Sequence, residues 1–252
     1  MKAKVLNCKI IYLNLIRIEE YNRMIKKYFT ILLIIIISSC QNYSRTAIDK
    51  LSGNASTIKI VVLKPDVKLY EVDATGERII KADWTNQAKK NVEIAMREFL
   101  KNENLNVNFL ETELNEDQSQ YLKLQKKVSD VIVGHVVVPE QKIPSKDIEG
   151  LDWTLGPNFS QIFQNIDADY VLILNIRDYF STGGRILAQT LLVLLGGTYI
   201  PLIQQGYGTL IDVRTGDLVW FDFAQAESFG DTRNEKGAKD AIEKILKKLP
   251  KT

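Results

Sequence analysis

Few side chains in this 252-residue sequence are suited to covalent or acid–base chemistry. There is one histidine, His135, and there are two cysteines, Cys8 and Cys40. A Ser-His-Asp or Cys-His mechanism would have to use His135, and no G-x-S-x-G elbow accompanies it. His135 shares a helix-period face with Tyr121, Leu124, Val128 and Ile132, where a packed imidazole is the plainer reading. One histidine, without a free thiol partner or D-x-D-x-D-G spacing, predicts no metal site and no cofactor. Carboxylates stand beside aromatics at Asp83-Trp84, Asp152-Trp153 and Trp220-Phe221-Asp222. They invite glycoside hydrolysis, but such acid/base pairs depend on a separation that sequence does not give. Capping and loop turns explain Asp83 and Asp152 as well. The turn Ser181-Thr182-Gly183-Gly184-Arg185 follows an apolar strand and leads into a helix, where free N–H groups favour anions. It lacks both G-x-x-x-x-G-K-[ST] and G-x-G-x-x-G, which favours a simple tight turn over a phosphate cradle. No enzyme is therefore expected. The alternative is a small-ligand site or hydrolase using the loops at Ser181 and Arg185 and at Asp152-Trp153.

Cys40 stands in a different context. Met24-Ile25-Lys26-Lys27 is followed by an apolar run of about ten residues and then by Ser38-Ser39-Cys40. A short basic end, a short apolar core and small residues are the layout of a secretory signal peptide. A spanning helix needs about 20 apolar residues, roughly twice this run. The ending Ile-Ser-Ser-Cys resembles the lipobox of bacterial lipoproteins, in which the cysteine sulfur takes a diacylglyceryl group and becomes the mature N-terminus. Several acyl chains, at about 0.8 kcal/mol per buried methylene, make such an anchor stable. By the same resemblance, Gln41 rather than Asp after the cysteine points to the outer membrane, with the body facing the periplasm. Met24 fits as the true start, which would make residues 1–23 a mis-assigned extension and 24–39 the signal peptide. With Cys8 removed and Cys40 acylated, no thiol remains for a disulfide or a nucleophile.

Residues 40–56 read as the lipidated N-terminus and a polar tether, and 57–252 as one periplasmic domain large enough for a sizeable core. The net charge of +2 does not suggest nucleic acid. The expected fold is α/β, a mixed sheet with helices packed on it. Strands are predicted over 58–63, closed by Pro65, and over 67–72 and 77–80 as a hairpin about Asp73-Ala74-Thr75-Gly76. A helix over 84–101 follows, with Asp83 as N-cap, then a strand over 105–110 and a helix over 117–136. A loop with three prolines precedes a short helix at 159–165. The nearly continuous apolar strand 169–177 should be covered on both faces. A hairpin over 202–213 and 218–226 turns at Arg214-Thr215-Gly216-Asp217. Gly206-Tyr207-Gly208 within it suggests a bulge or a close backbone approach. A capping box at Thr232-Arg233-Asn234-Glu235 opens the last helix, which stops at Pro250.

The run that opens at Ile186 and closes at Ile200 is strongly apolar, yet at about 15 residues it is short for a membrane span. A central buried helix is the first expectation. The alternative is an exposed surface for self-association or for an envelope protein partner.

Several segments carry a resemblance: Ala82-Asp83-Trp84-Thr85, Asp152-Trp153-Thr154-Leu155-Gly156-Pro157, Ala168-Asp169-Tyr170, Gly184-Arg185, Asp212-Val213-Arg214-Thr215-Gly216 and Val219-Trp220-Phe221. Over nearly the whole mature region they resemble a family of proteobacterial lipoproteins. The wider pattern is similar to the periplasmic α/β domains of the curli secretion lipoprotein, the TolB N-terminal domain and the GNA1162-like neisserial lipoproteins. The resemblance implies a non-enzymatic binding or accessory component of a cell-envelope assembly. It implies no site residue beyond the lipidated Cys40. Long alternating segments that could form membrane strands are not evident, so pore formation is not carried over.

Overall fold

A computed structural model describes residues 41–48, 51, 58–103, 105–137, 139–146, 150–226 and 229–251. The expected extension, signal peptide and Cys40 lie outside the described residues. The described residues after Gln41 fall in one compact unit.

The spine is strand β6 (Tyr170–Ser181), in an eight-stranded mixed sheet. Its apolar run is covered on both faces, as expected. Tyr170, Leu172, Leu174 and Ile176 enter one core, while Val171 and Ile173 enter the other. One edge of β6 carries β7 (Gln204–Asp212) antiparallel, then β8 (Leu218–Ala226), then β1 (Gln41–Thr46). The other edge is shared by two parallel strands. These are β2 (Ile60–Val62), with β5 (Val107–Phe109) outside it, and β3 (Asp66–Val72), with antiparallel β4 (Arg78–Ile80) outside it. Val62 pairs with Leu172 and Asp66 with Asn175. Leu63, Lys64 and Pro65 thus face only Ile173 and Leu174. Pro65 has no N–H for the ladder, so the edge breaks there.

Helices α1 (Ala82–Asn102) and α5 (Glu235–Leu246) cover one face, where Val92, Met96 and Leu100 meet Ile242 and Ile245. Helix α2 (Glu116–Val137) and the short α3 (Phe159–Ile162) cover the other, with Ile132 and the stacked pair Phe159 and Phe163. Helix α4 (Gly183–Leu194) leaves the end of β6 after Thr182. The result is an α/β domain with helices packed on a mixed sheet, the class the sequence predicts.

Local expectations differ at three places, and at a fourth, Gly206 and Gly208, the expected close approach is present. The polar stretch read as a tether contributes a strand: Thr46 and Ala47 hydrogen-bond the Val219 carbonyl, because an exposed sheet edge accepts any extended segment. Asp83 is not the cap of α1; Lys81 holds that position without a side-chain bond, and Asp83 sits in the first turn, where a carboxylate still suits the dipole. The capping box does not form. Asn234 caps α5 by accepting from the Gly237 N–H at 2.9 Å, and Thr232 is buried instead. Gly206 and Gly208 mark close approaches: a Cβ would sit 2.4 Å from Ile245 Cδ1 in one case and 2.7 Å from the Trp220 ring in the other.

Candidate functional site

The run expected as a central buried helix is exposed. In α4 the side chains of Ile186, Leu187, Leu191, Leu192 and Val193 stand in solvent, and Leu194 and Leu195 are 76% and 86% exposed. Tyr199, Ile200 and Ile203 extend the surface into the segment leading to β7. The sole buried residue of the helix is its charged one, Arg185, at 7% exposure. This inverts the ordinary rule for a surface helix. The cause is position: α4 begins where β3 and β6 end, beyond the last paired residues Val72 and Ser181, so no sheet lies beneath it.

Three polar side chains of this helix, Arg185, Gln189 and Thr190, bond within the segment. The Arg185 guanidinium donates to the Ile200 carbonyl at 3.3 Å, and the Ile200 N–H donates to Gln189 Oε1 at 3.0 Å. Two side chains of the helix therefore strap the returning chain against it. Thr190 donates to the Ile186 carbonyl one turn back. Thr182 caps the first turn by accepting from the Arg185 N–H at 3.1 Å. At the other end Gly196, at φ +85°, allows the Gly197 and Gly196 N–H groups to close on the carbonyls of Leu192 and Val193. This paired C-terminal closure satisfies carbonyls that a helix end otherwise leaves open. What faces outward is mostly apolar.

The alternative site does not assemble. Trp153 and Thr154 lie at the β7–β8 turn: the Trp153 carbonyl accepts from Leu218 N, and Thr154 bridges to Asp217. That end of the sheet is where β6 starts, since Tyr170 pairs with Asp212. Ser181 closes the same strand, so about 3.3 Å per residue separates the two loops by roughly 35 Å. Asp152 pairs with Lys146 at 3.3 Å, and Thr182 to Arg185 form a capped helix start rather than a cradle. His135 is buried and accepts from the Ile143 N–H at 2.7 Å through Nδ1, beside the edge of Trp153. Among the described residues, no three His, Cys, Asp or Glu side chains cluster as metal ligands.

Burial raises two carboxyls: Asp178, which carried no sequence signal, and Asp222, which stood out only by its aromatic neighbours. Asp178, on β6, is pushed up to about 7 by burial, although the Tyr179 N–H at 2.8 Å and Thr232 oppose the shift. Gln204 also donates to it at 2.9 Å, and Gln204 in turn accepts from the Phe229 N–H. The cluster ties the approach to α5 onto β6 and β7. Asp222 is raised to about 6, again by burial, with a hydrogen bond from Ser44 of β1 opposing. Both stitch strands and loops rather than face a cleft.

An open groove of about 270 Å³ lies between α2 and the outer half of the sheet, floored by Tyr70, Arg177, Tyr179 and Tyr207. Tyr70 and Tyr179 stack at 5.2 Å. Arg177 is not free to bind an anion: it donates to the Asp66 and Ile176 carbonyls and pairs with the Asp66 carboxylate. The sequence signal was the alternation Asn175, Arg177, Tyr179 at the end of the apolar strand, period two and polar on one face.

No family model and no curated protein sequence matches this chain. Among solved structures it is similar to the PelC dodecamer from Paraburkholderia phytofirmans, at 13% identity and a TM-score of 0.39, covering 84% of this chain and 99% of that one. The LpoB C-terminal domain from Salmonella enterica is similar at 12% identity and a TM-score of 0.27, over 70% of this chain and 87% of that one. Lipoprotein GNA1162 from Neisseria meningitidis gives 13% identity and a TM-score of 0.28, over 67% and 81%. At these values the functional argument rests on this chain's own residues.

Proposed function

We propose that this chain is a lipid-anchored outer-membrane lipoprotein facing the periplasm, and that it acts by binding, as a non-enzymatic accessory component of a cell-envelope assembly. The observation that carries the reading is the exposed apolar surface from Ile186 to Ile203. Soluble monomers rarely leave a contiguous patch of this kind uncovered, and it belongs to an interaction site. The signal layout ending in Cys40 supplies the compartment and the anchor. The residues that invite catalysis have structural partners instead: His135 with Ile143, Asp152 with Lys146, Asp222 with Ser44.

The test is metabolic labelling with an alkyne fatty acid in a double-membrane bacterium, together with in-cell photo-crosslinking from positions around the domain, among them Leu187 and Ile200 of that surface and Tyr70 and Tyr179 of the groove. The expected result is acylation lost in Cys40→Ala, outer-membrane fractionation of the native chain, and a reproducible adduct with one envelope protein. A chain that is never acylated overturns the anchored reading. Full acylation with no adduct overturns the assembly reading.

A further inference from the structure

We propose that the apolar surface of α4 and its returning segment sits in the acyl boundary of the same membrane that holds the Cys40 lipid, as a second, non-covalent attachment. This rests on the lipoprotein reading above and names the occupant of its apolar surface. The first argument is placement. Ala47 N bonds the Val219 carbonyl and Ser44 bonds Asp222, so β1 runs antiparallel to β8 and its first residue, Gln41, lies toward Gln225. Gln225 pairs with Gln205, and Gln205 with Arg177 near the end of β6. The chain therefore enters the sheet level with Arg177, four residues short of Ser181, at the end from which α4 departs. In the lipoprotein reading the acylated residue directly precedes Gln41 in the sequence, which favours that end of the sheet, not the opposite one, as the end that faces the bilayer.

The second argument is chemistry. No charged residue occurs between Arg185 and Asp212. Arg185 itself is buried on the Ile200 carbonyl. Within hydrocarbon, polar groups need internal partners. Here Arg185, Gln189 and Thr190 all bond within the segment, and the helix end closes on itself through Gly196 and Gly197. A watery surface demands none of this. Helix α4 has 12 residues, about 18 Å, too short to cross about 30 Å of hydrocarbon, and no described helix is long and apolar enough to span. It lies in the interface instead, with Leu194 and Leu195 deepest and Tyr199 near the headgroups, where amphipathic rings settle.

The experiment uses the processed, acylated chain, in which Cys40 carries the lipid and no other native thiol remains, reconstituted into phosphatidylethanolamine/phosphatidylglycerol vesicles. An environment-sensitive NBD label is placed through Leu191→Cys, Leu195→Cys or, as a control on α2, Lys123→Cys. These positions are exposed, so the fold tolerates them; matching melting curves verify it. Vesicle flotation reports the anchor independently. The expected result is a blue-shifted label at 191 and 195, quenched several-fold more by nitroxide lipids than at 123 and shielded from aqueous iodide. If the protein floats while iodide reaches 191 and 195 as it reaches 123, the inference falls and the anchored reading stands. If the chain does not float, the anchored reading fails and this inference with it. If 191 and 195 are shielded from both quenchers and crosslink between chains, a second copy is the occupant, and the inference is overturned.

Discussion

Helices α4 and α5 have 12 residues each and opposite fates. Helix α5 alternates charge with small and aliphatic residues, and buries Ala238, Ala241, Ile242, Ile245 and Leu246 at 0–1% exposure. Helix α4 is the more apolar of the two and buries one residue, an arginine. Burial thus follows from having a stripe that matches a neighbouring face, not from apolar content. Helix α5 has β7, β8 and α1 to pack on, and glycines at 206 and 208 that let Ile245 and Trp220 close in. Helix α4 meets the sheet only near the end of β6, from which it departs.

The largest effect should come from placing one carboxylate in each helix. Ile245→Asp buries an unpaired charge and is expected to cost more than about 4 kcal/mol, leaving little folded protein. Leu191→Asp should change the unfolding free energy obtained from urea titration by less than about 0.5 kcal/mol, the range of an ordinary surface change. Equal losses would mean that α4 belongs to the core and would break the comparison.

A pH titration comes next. Asp178 holds the loop before α5, and its pKa of about 7 in the folded state exceeds its ordinary value of 3.8. The folded state therefore keeps a proton that the unfolded chain has already lost. Its contribution is full below about pH 4 and fades as the pH rises to about 7, by at most a few kcal/mol. Asp178→Asn should flatten that part of the curve of melting temperature against pH. A wild-type profile that instead rises between pH 4 and 7 relative to the variant contradicts the assignment.

The helix caps give the smallest effect and the finest comparison. Asn234→Ala removes the bond to Gly237 N and should cost about 1 kcal/mol in global unfolding, because α5 is coupled to the core. Thr182→Ala removes the same kind of bond from α4. It should leave global unfolding unchanged and appear only as faster amide exchange over α4. A matching global loss in both variants would show that the two helices are not energetically distinct.

Much of the fold was legible because it rests on local patterns. The apolar run of β6, the turn at Gly76 with φ +90°, and the helical stripes of α1 and α5 all appear where periodicity places them. The errors were of another kind. Asp83 and Thr232 were read as caps because side-chain type cannot locate the first helical turn to within a residue. The edge position of β1 depends on an open strand elsewhere, which residues 41–46 do not reveal. For 186–200 both a buried helix and an exposed surface fit the same letters, and the choice depends on where β3 and β6 stop.

The sequence by itself determined the order of strands and helices after β1, the both-sided burial of β6 and the signal layout at Cys40, since each is written in neighbouring residues. Tertiary structure alone decided that Asp178 and Asp222 are buried, that the loops at Trp153 and Ser181 lie at opposite ends of one strand, and that α4 faces outward. Those facts are set by which strands end where, and strand ends become neighbours only once the sheet has formed.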